Sequence, residues 1–317
     1  MYERRAFTLG ELIAACVAVG LLVVVVLTLQ PSLSRSRETA NLVKCASNLR
    51  QIGLAAILYS MDNNNAFPSL ARDFSKPPTA FSGWDSADPW AGPEPNDITA
   101  AWYMLVRTQD IDPGVFLCPS EVENHARVRP WDFASKPVEQ TSNFPHAGFL
   151  SYSFANPYSE SPDWTWDTTV SVDMPLAADR NPGGEAVVDA TLDWSAQEMK
   201  SANSPNHGNE GQNVLYADGH ITFENTPFVG IRRDNIFTTG TLGKAGDPAR
   251  RTNGIVNGFP IDRFDAVLLP AAPDHVRPLL PFWSRQSTRW WFNGAVVLLA
   301  ITLLSVLAYR LKRASSA

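Results

Sequence analysis

The sequence predicts an α+β protein: a long N-terminal membrane-to-stalk helix packed on a loop-rich antiparallel β-sheet head, plus a C-terminal transmembrane helix. Three observations carry this expectation. Residues 12–29 form an 18-residue run without a charge, and a helix that crosses a bilayer needs roughly 17–25 apolar residues. Leu42, Ala46, Leu49, Ile52, Gly53, Ala56 and Tyr59 then recur at three- and four-residue steps, the period of an amphipathic helix. Further on, residues 213–217 and 220–223 are strand-like segments flanking Asp218-Gly219, a pair that favours a two-residue type I′ hairpin turn.

Taken in order, the elements divide the 317-residue chain as follows. Residues 1–6 are a short basic leader holding Arg4 and Arg5. Residues 7–60 are one helix, membrane-embedded at first and amphipathic later, continuous or kinked at Pro31. Asp62-Asn63-Asn64-Asn65 and Pro68 end it. Residues 61–266 form the head, whose abundant Pro, Gly, Trp and Asn predict short strands and long loops. Residues 267–289 hold Pro270, Pro273, Pro278 and Pro281, the composition of a semi-rigid linker. Residues 290–309 form the second span, opened by Trp290, Trp291 and Phe292 at headgroup depth and closed by the cytoplasmic tail 310–317. Basic residues cluster at both ends (Arg4 and Arg5; Arg310, Lys312 and Arg313), so the positive-inside bias places both termini in the cytoplasm and residues 30–288 outside it. Arg35 and Arg37 pull weakly the other way.

Composition narrows the function. Apolar residues make up 44% of the chain and charged ones 18%, which excludes a disordered polymer. Lys and Arg number 26 against 32 Asp and Glu, a net charge of −6, so no nucleic-acid partner is expected. Of three cysteines, Cys16 lies in the apolar run; Cys45 and Cys118 are either one bridge or two free thiols, and spacing alone leaves both open.

Arg4-Arg5-Ala6-Phe7-Thr8-Leu9-Gly10-Glu11-Leu12-Ile13 resembles the leader of type IV prepilins. The resemblance implies cleavage between Ala6 and Phe7 by a prepilin peptidase, N-methylation of Phe7, and pairing of the Glu11 carboxylate with a neighbouring subunit's terminal amine. Ala6 replaces the usual glycine, and Gly10 stands where a branched apolar residue is common. The segment from Cys45 to Ala55, together with Phe116-Leu117-Cys118-Pro119-Ser120, Ala178-Asp179-Arg180-Asn181-Pro182 and the stretch from Asn203 through His207 to His220, is similar to pilin-like proteins related to pseudopilin G of type II secretion. Those carry a His-to-Asp-Gly signature with nine intervening residues; His207 and Asp218 enclose ten. The resemblance implies a non-enzymatic assembly protein of a type II secretion or type IV pilus-like system in the bacterial inner membrane. Its partners would be other pilin-like subunits, secretion or pilus membrane components and the lipid bilayer, with no cofactor. The second span implies retention in the membrane.

Other chemistry has thinner support. His207, Asp218 and His220 are the candidate metal ligands, imidazole and carboxylate being common zinc donors. Two of them flank a turn in which Asp218 and Gly219 already have a structural job, so no metal is expected. The Asp62–Asn65 tip has oxygen ligands without the spacing of a calcium loop. No GxSxG, P-loop or HExxH motif occurs. The alternatives to an assembly protein are a membrane-tethered metal-dependent enzyme and a carbohydrate or surface-ligand binder using Trp84, Trp90, Trp102, Trp131, Trp164 and Trp166 as a platform.

Overall fold

Alternation of side chains along extended backbone sends neighbouring residues to opposite faces of a sheet, and here both faces are covered. The computed structural model describes residues 9–124, 136–241 and 252–271. Helix α1 (Leu9–Asp62) is followed by α2 (Ile98–Thr108), α3 (Pro119–Asn124), strands β1 (Tyr152–Ala155) and β2 (Pro175–Asp179), and the short helices α4 (Glu185–Asp189) and α5 (Ala196–Met199). Strands β3 (Gln212–Tyr216), β4 (Ile221–Glu224), β5 (Gly240–Thr241), β6 (Thr252–Asn253) and β7 (Leu268–Leu269) complete the order. Five strands make one antiparallel sheet in the order β4-β3-β2-β1-β7, and β5 pairs with β6 in a separate ribbon. The protein is therefore α+β. One compact unit spans Ala40–Arg277 and takes in the end of α1.

On one face of the sheet, Phe154, Ala177, Leu215 and Leu269 join a core with Cys45, Leu49, Ile52, Ala56 and Tyr59 of α1 and Trp102, Tyr103 and Leu105 of α2. On the other face, the adjacent residues Ala155, Ala178, Val214 and Leu268 pack with Val187, Met199, Ile236 and Phe237. Helix α2 is buried from Ile98 to Val106, and Asp97 caps it by accepting from the Ala100 N–H at 2.9 Å. The α1 stripe comes close to the sheet at Gly53, where an added Cβ would stand 2.8 Å from Leu215 Cδ1.

The helix continues through Pro31 and stops where Asn64 and Asn65 take positive φ, a left-handed conformation that Asn tolerates well. Asn65 N–H donates to Ser60 C=O at 2.8 Å, so the Asp62–Asn65 tip is a helix terminator. The hairpin differs in detail from the two-residue turn expected. Tyr216 N–H donates to His220 C=O, and Gly219 N–H donates back to Tyr216 C=O, which encloses residues 217–219. Only Gly219 has positive φ (+86°), whereas a type I′ turn needs it at both central positions, so the loop is of the three-residue kind with glycine at its left-handed position.

The leader, Phe7, the linker beyond residue 271, the second span and the tail lie outside the described residues, as do the side chains of residues 9, 12 and 26–34 within α1. Among the described residues no helix is long and apolar enough to cross a membrane. The described side chains of the first predicted span run from residue 13 to 25, fewer than a crossing requires.

Candidate functional site

Four elements converge on one buried polar centre. Cys45 sits on α1, Cys118 directly precedes α3, Asp179 ends β2, and His207 ends a 3₁₀ turn, Pro205–His207. That turn is local chemistry. The Ser204 hydroxyl accepts from the Asn206 N–H, Pro205 supplies a preset φ at the first position, and Gly208 leaves in the left-handed region at φ +68°. The result directs His207 inward, with only 1% of its side chain exposed.

Cys45 and Cys118 are joined as a disulfide, with their Cα atoms 5.2 Å apart and both residues fully buried. Beside it, His207 Nε2 lies 3.7 Å from Cys118 Sγ and 3.3 Å from Asp179 Oδ2, while its Nδ1 lies 3.3 Å from Ser120 Oγ. Asp179 is enclosed by donors. Its Oδ2 accepts from Asn213 N–H at 2.6 Å and Asn213 Nδ2 at 3.0 Å, and its Oδ1 accepts from Asn206 Nδ2 at 3.1 Å. A buried carboxylate is tolerable only when its lone pairs are matched in this way. The antiparallel pairing of β2 with β3, Ala178 opposite Val214, brings Asn213 to Asp179.

Tyr152 closes the near side. Burial pushes its hydroxyl well above the usual phenol range, the Asp179 charge adds to that, and a hydrogen bond from Asn48 Nδ2 opposes it. Arg180, the residue after Asp179, lies 3.3 Å from Glu121 Oε1 with both side chains nearly buried, and its Nη2 donates to Ala147 C=O. The next residue, Asn181, donates through Nδ2 to Phe237 C=O and Leu268 C=O, tying the end of β2 to the second core.

The three sequence-predicted metal ligands do not meet. His207 is interior, whereas Asp218 and His220 are exposed at the hairpin tip, where Asp218 Oδ1 accepts from His220 N–H at 2.9 Å and lies 2.5 Å from its Nδ1. Those contacts, the backbone one foremost, hold the Asp218 carboxyl below its ordinary range, and the His220 ring stacks on Tyr216. Among the described residues, the cluster with metal-ligand chemistry is Cys45, Cys118, Asp179 and His207. Sequence reasoning missed Asp179 as the partner of His207. The available signal was an ionisable residue closing the otherwise apolar strand Pro-Leu-Ala-Ala-Asp.

Three of the tryptophans adjoin one another: the Trp166 ring stacks with Trp164, centroids 6.2 Å apart, and meets Trp102 edge-on at 6.4 Å. Trp102 is fully buried against Phe154, with ring centroids 5.0 Å apart. Trp166 is anchored to Pro68 C=O and Trp164 to Pro157 C=O, while Trp84 faces Lys136 and Trp90 is exposed. Trp131 lies outside the described residues. An open cleft of about 650 Å³ is lined by Pro77, Pro78, Glu160, Phe259 and Pro260 and shares no residue with the His207 centre. Glu11 is exposed on the first turn of α1, and Ala6 and Phe7 lie outside the described residues. Comparisons with protein-family models, curated proteins and solved structures return no match for this chain.

Proposed function

We propose that the chain is a membrane-anchored, pilin-like assembly protein of the pseudopilin G type, working in a type II secretion or type IV pilus-like system. The observation that carries this reading is the two-sidedness of α1 within the compact unit. At about 100° per residue, the buried Cys45, Leu49, Ile52, Ala56 and Tyr59 cluster on one side of the helix. Val43, Leu54, Leu58 and Met61, each more than half exposed, fall within about 60° of one another on the opposite side, interrupted by Ser47 and flanked by Arg50. A helix already docked to its own head and still offering an apolar stripe is suited to receiving a neighbouring helix.

Two further points support the reading. Ile13, Val17, Leu21, Leu22 and Val24 are also exposed on α1, as a lipid-facing helix requires. The Cys45–Cys118 bond fits an oxidising compartment and so an exported head. In this mechanism prepilin peptidase cuts between Ala6 and Phe7, and Glu11 pairs with the methylated amine of a neighbour, a cationic partner for a carboxylate at the membrane edge. The head displays its loops, and the second span keeps the chain in the bilayer with both termini cytoplasmic. The enzyme alternative meets an obstacle, because His207 and Asp179 are closed to substrate.

Intact-mass analysis of the membrane-extracted chain, combined with cross-linking, tests the proposal. A mature chain beginning at methylated Phe7 is expected, with association weakened both by Glu11→Gln and by Leu54→Ser/Leu58→Ser. The surface pair should leave head stability within about 0.5 kcal/mol. A mature chain that begins at Met1, with association indifferent to both changes, refutes it.

A further inference from the structure

We propose that Cys45, Cys118, Asp179 and His207 form a tetrahedral zinc site in the dithiol form of the chain, an alternative to the disulfide at the same position. The four donor atoms lie within 4.8 Å of one another and all four residues are buried. Zinc at its usual bond lengths sets donor–donor edges of about 3.5 Å for sulfur–nitrogen and about 3.3 Å for nitrogen–oxygen. The structure has 3.7 Å between Cys118 Sγ and His207 Nε2, and 3.3 Å between His207 Nε2 and Asp179 Oδ2. The two sulfurs must part to about 3.8 Å, and the remaining edges already lie within 4.8 Å. Their Cα atoms, 5.2 Å apart, permit this by side-chain rotation.

The surroundings fit such a centre. Ser120 Oγ stands at His207 Nδ1, where accepting the Nδ1 proton leaves Nε2 as the ligating nitrogen. Asn213 and Asn206 hold the carboxylate from three N–H groups. Two thiolates and a carboxylate around a divalent ion leave one negative charge, which those donors help to offset. Two thiolates, an imidazole and a carboxylate in tetrahedral array select zinc over magnesium or calcium.

The chemistry balances. A phosphine reductant with water converts the disulfide to two thiols and becomes phosphine oxide; zinc then displaces both thiol protons. In reverse, a small-molecule disulfide takes two electrons from the zinc-bound thiolates, which reform the Cys45–Cys118 bond and release Zn²⁺ and two small thiolates. The site is thus a metal-holding precursor of the bridge. The inference is independent of whether the chain assembles with others.

The test uses the full chain in detergent with Cys16→Ser as background, reduced anaerobically by a phosphine and titrated with Co²⁺ as the spectroscopic probe. Tryptophan fluorescence monitors the fold throughout. The expected result is one Co²⁺ per chain with a thiolate-to-cobalt absorption band and tetrahedral ligand-field bands, displaced by Zn²⁺ and absent from the oxidised chain. His207→Ala and Asp179→Asn should remove or shift the tetrahedral bands, and Ser120→Ala should weaken binding about 10–100-fold. A reduced chain that stays folded without binding Co²⁺ overturns the proposal. So does one that unfolds on reduction, or one whose spectrum is unchanged in both His207→Ala and Asp179→Asn.

Discussion

Removing the Cys45–Cys118 link by Cys45→Ala/Cys118→Ala should destabilise the head by about 4 kcal/mol. The bridge closes a segment with a sequence separation of 73. For a loop of that length the chain-entropy relation gives roughly 4.4 kcal/mol at 25 °C, near the upper end of measured disulfide contributions. That is a large share of the 5–15 kcal/mol typical of a domain, and equals about a thousand-fold change in the folded-to-unfolded ratio. The closed segment contains α2 and the last part of α1, so the constraint acts on the whole helical side of the core. The assay is urea unfolding of the detergent-extracted chain in the presence of a chelator, followed by tryptophan fluorescence, with Trp102 as a fully buried reporter. Thiol counting on the parent protein first establishes that the bond is present. A loss below about 1 kcal/mol from a bridged parent refutes the reasoning, because the unfolded chain would then gain almost no freedom from release.

Two other changes probe the interior. Asp179→Ala leaves Asn213 N–H without its buried acceptor, takes one acceptor each from Asn213 Nδ2 and Asn206 Nδ2, and should cost about 3–5 kcal/mol in the same assay, whereas Asp179→Asn, which keeps one oxygen, should cost less. Burial pushes the Tyr103 hydroxyl up to about 12 from an ordinary 10.0. The folded state therefore holds that proton longer than the unfolded one, so its contribution is intact below pH 10 and is lost as pH rises from about 10 to 12. Tyr103→Phe should flatten this alkaline limb by about one proton in a pH series of unfolding curves, and an unchanged slope would show that Tyr103 does not ionise late.

Elements with a local period were readable in advance. The Leu49, Ile52, Ala56 and Tyr59 stripe needs only the 3.6-residue turn of a helix, and these residues are buried. The hairpin at Asp218-Gly219 was readable as a reversal of the chain, but not its turn type, which depends on backbone dihedrals that several Asp-Gly loops share. The outer stripe of Val43, Leu54, Leu58 and Met61 follows from the same period, yet only the packing of the inner face identifies it as left uncovered.

The sequence by itself determined where apolar surface recurs, where the chain turns back, and which two cysteines are candidates for a bridge. Only the tertiary structure decided that Cys45 meets Cys118, and that His207 pairs with Asp179 and not with the nearer Asp218. The physical reason is separation. His207 and Asp179 stand 28 positions apart and come together through a strand register and a 3₁₀ turn, so no short-range pattern encodes their contact. Burial then makes the pairing necessary, because a carboxylate that has lost its water must find its donors wherever the fold can supply them.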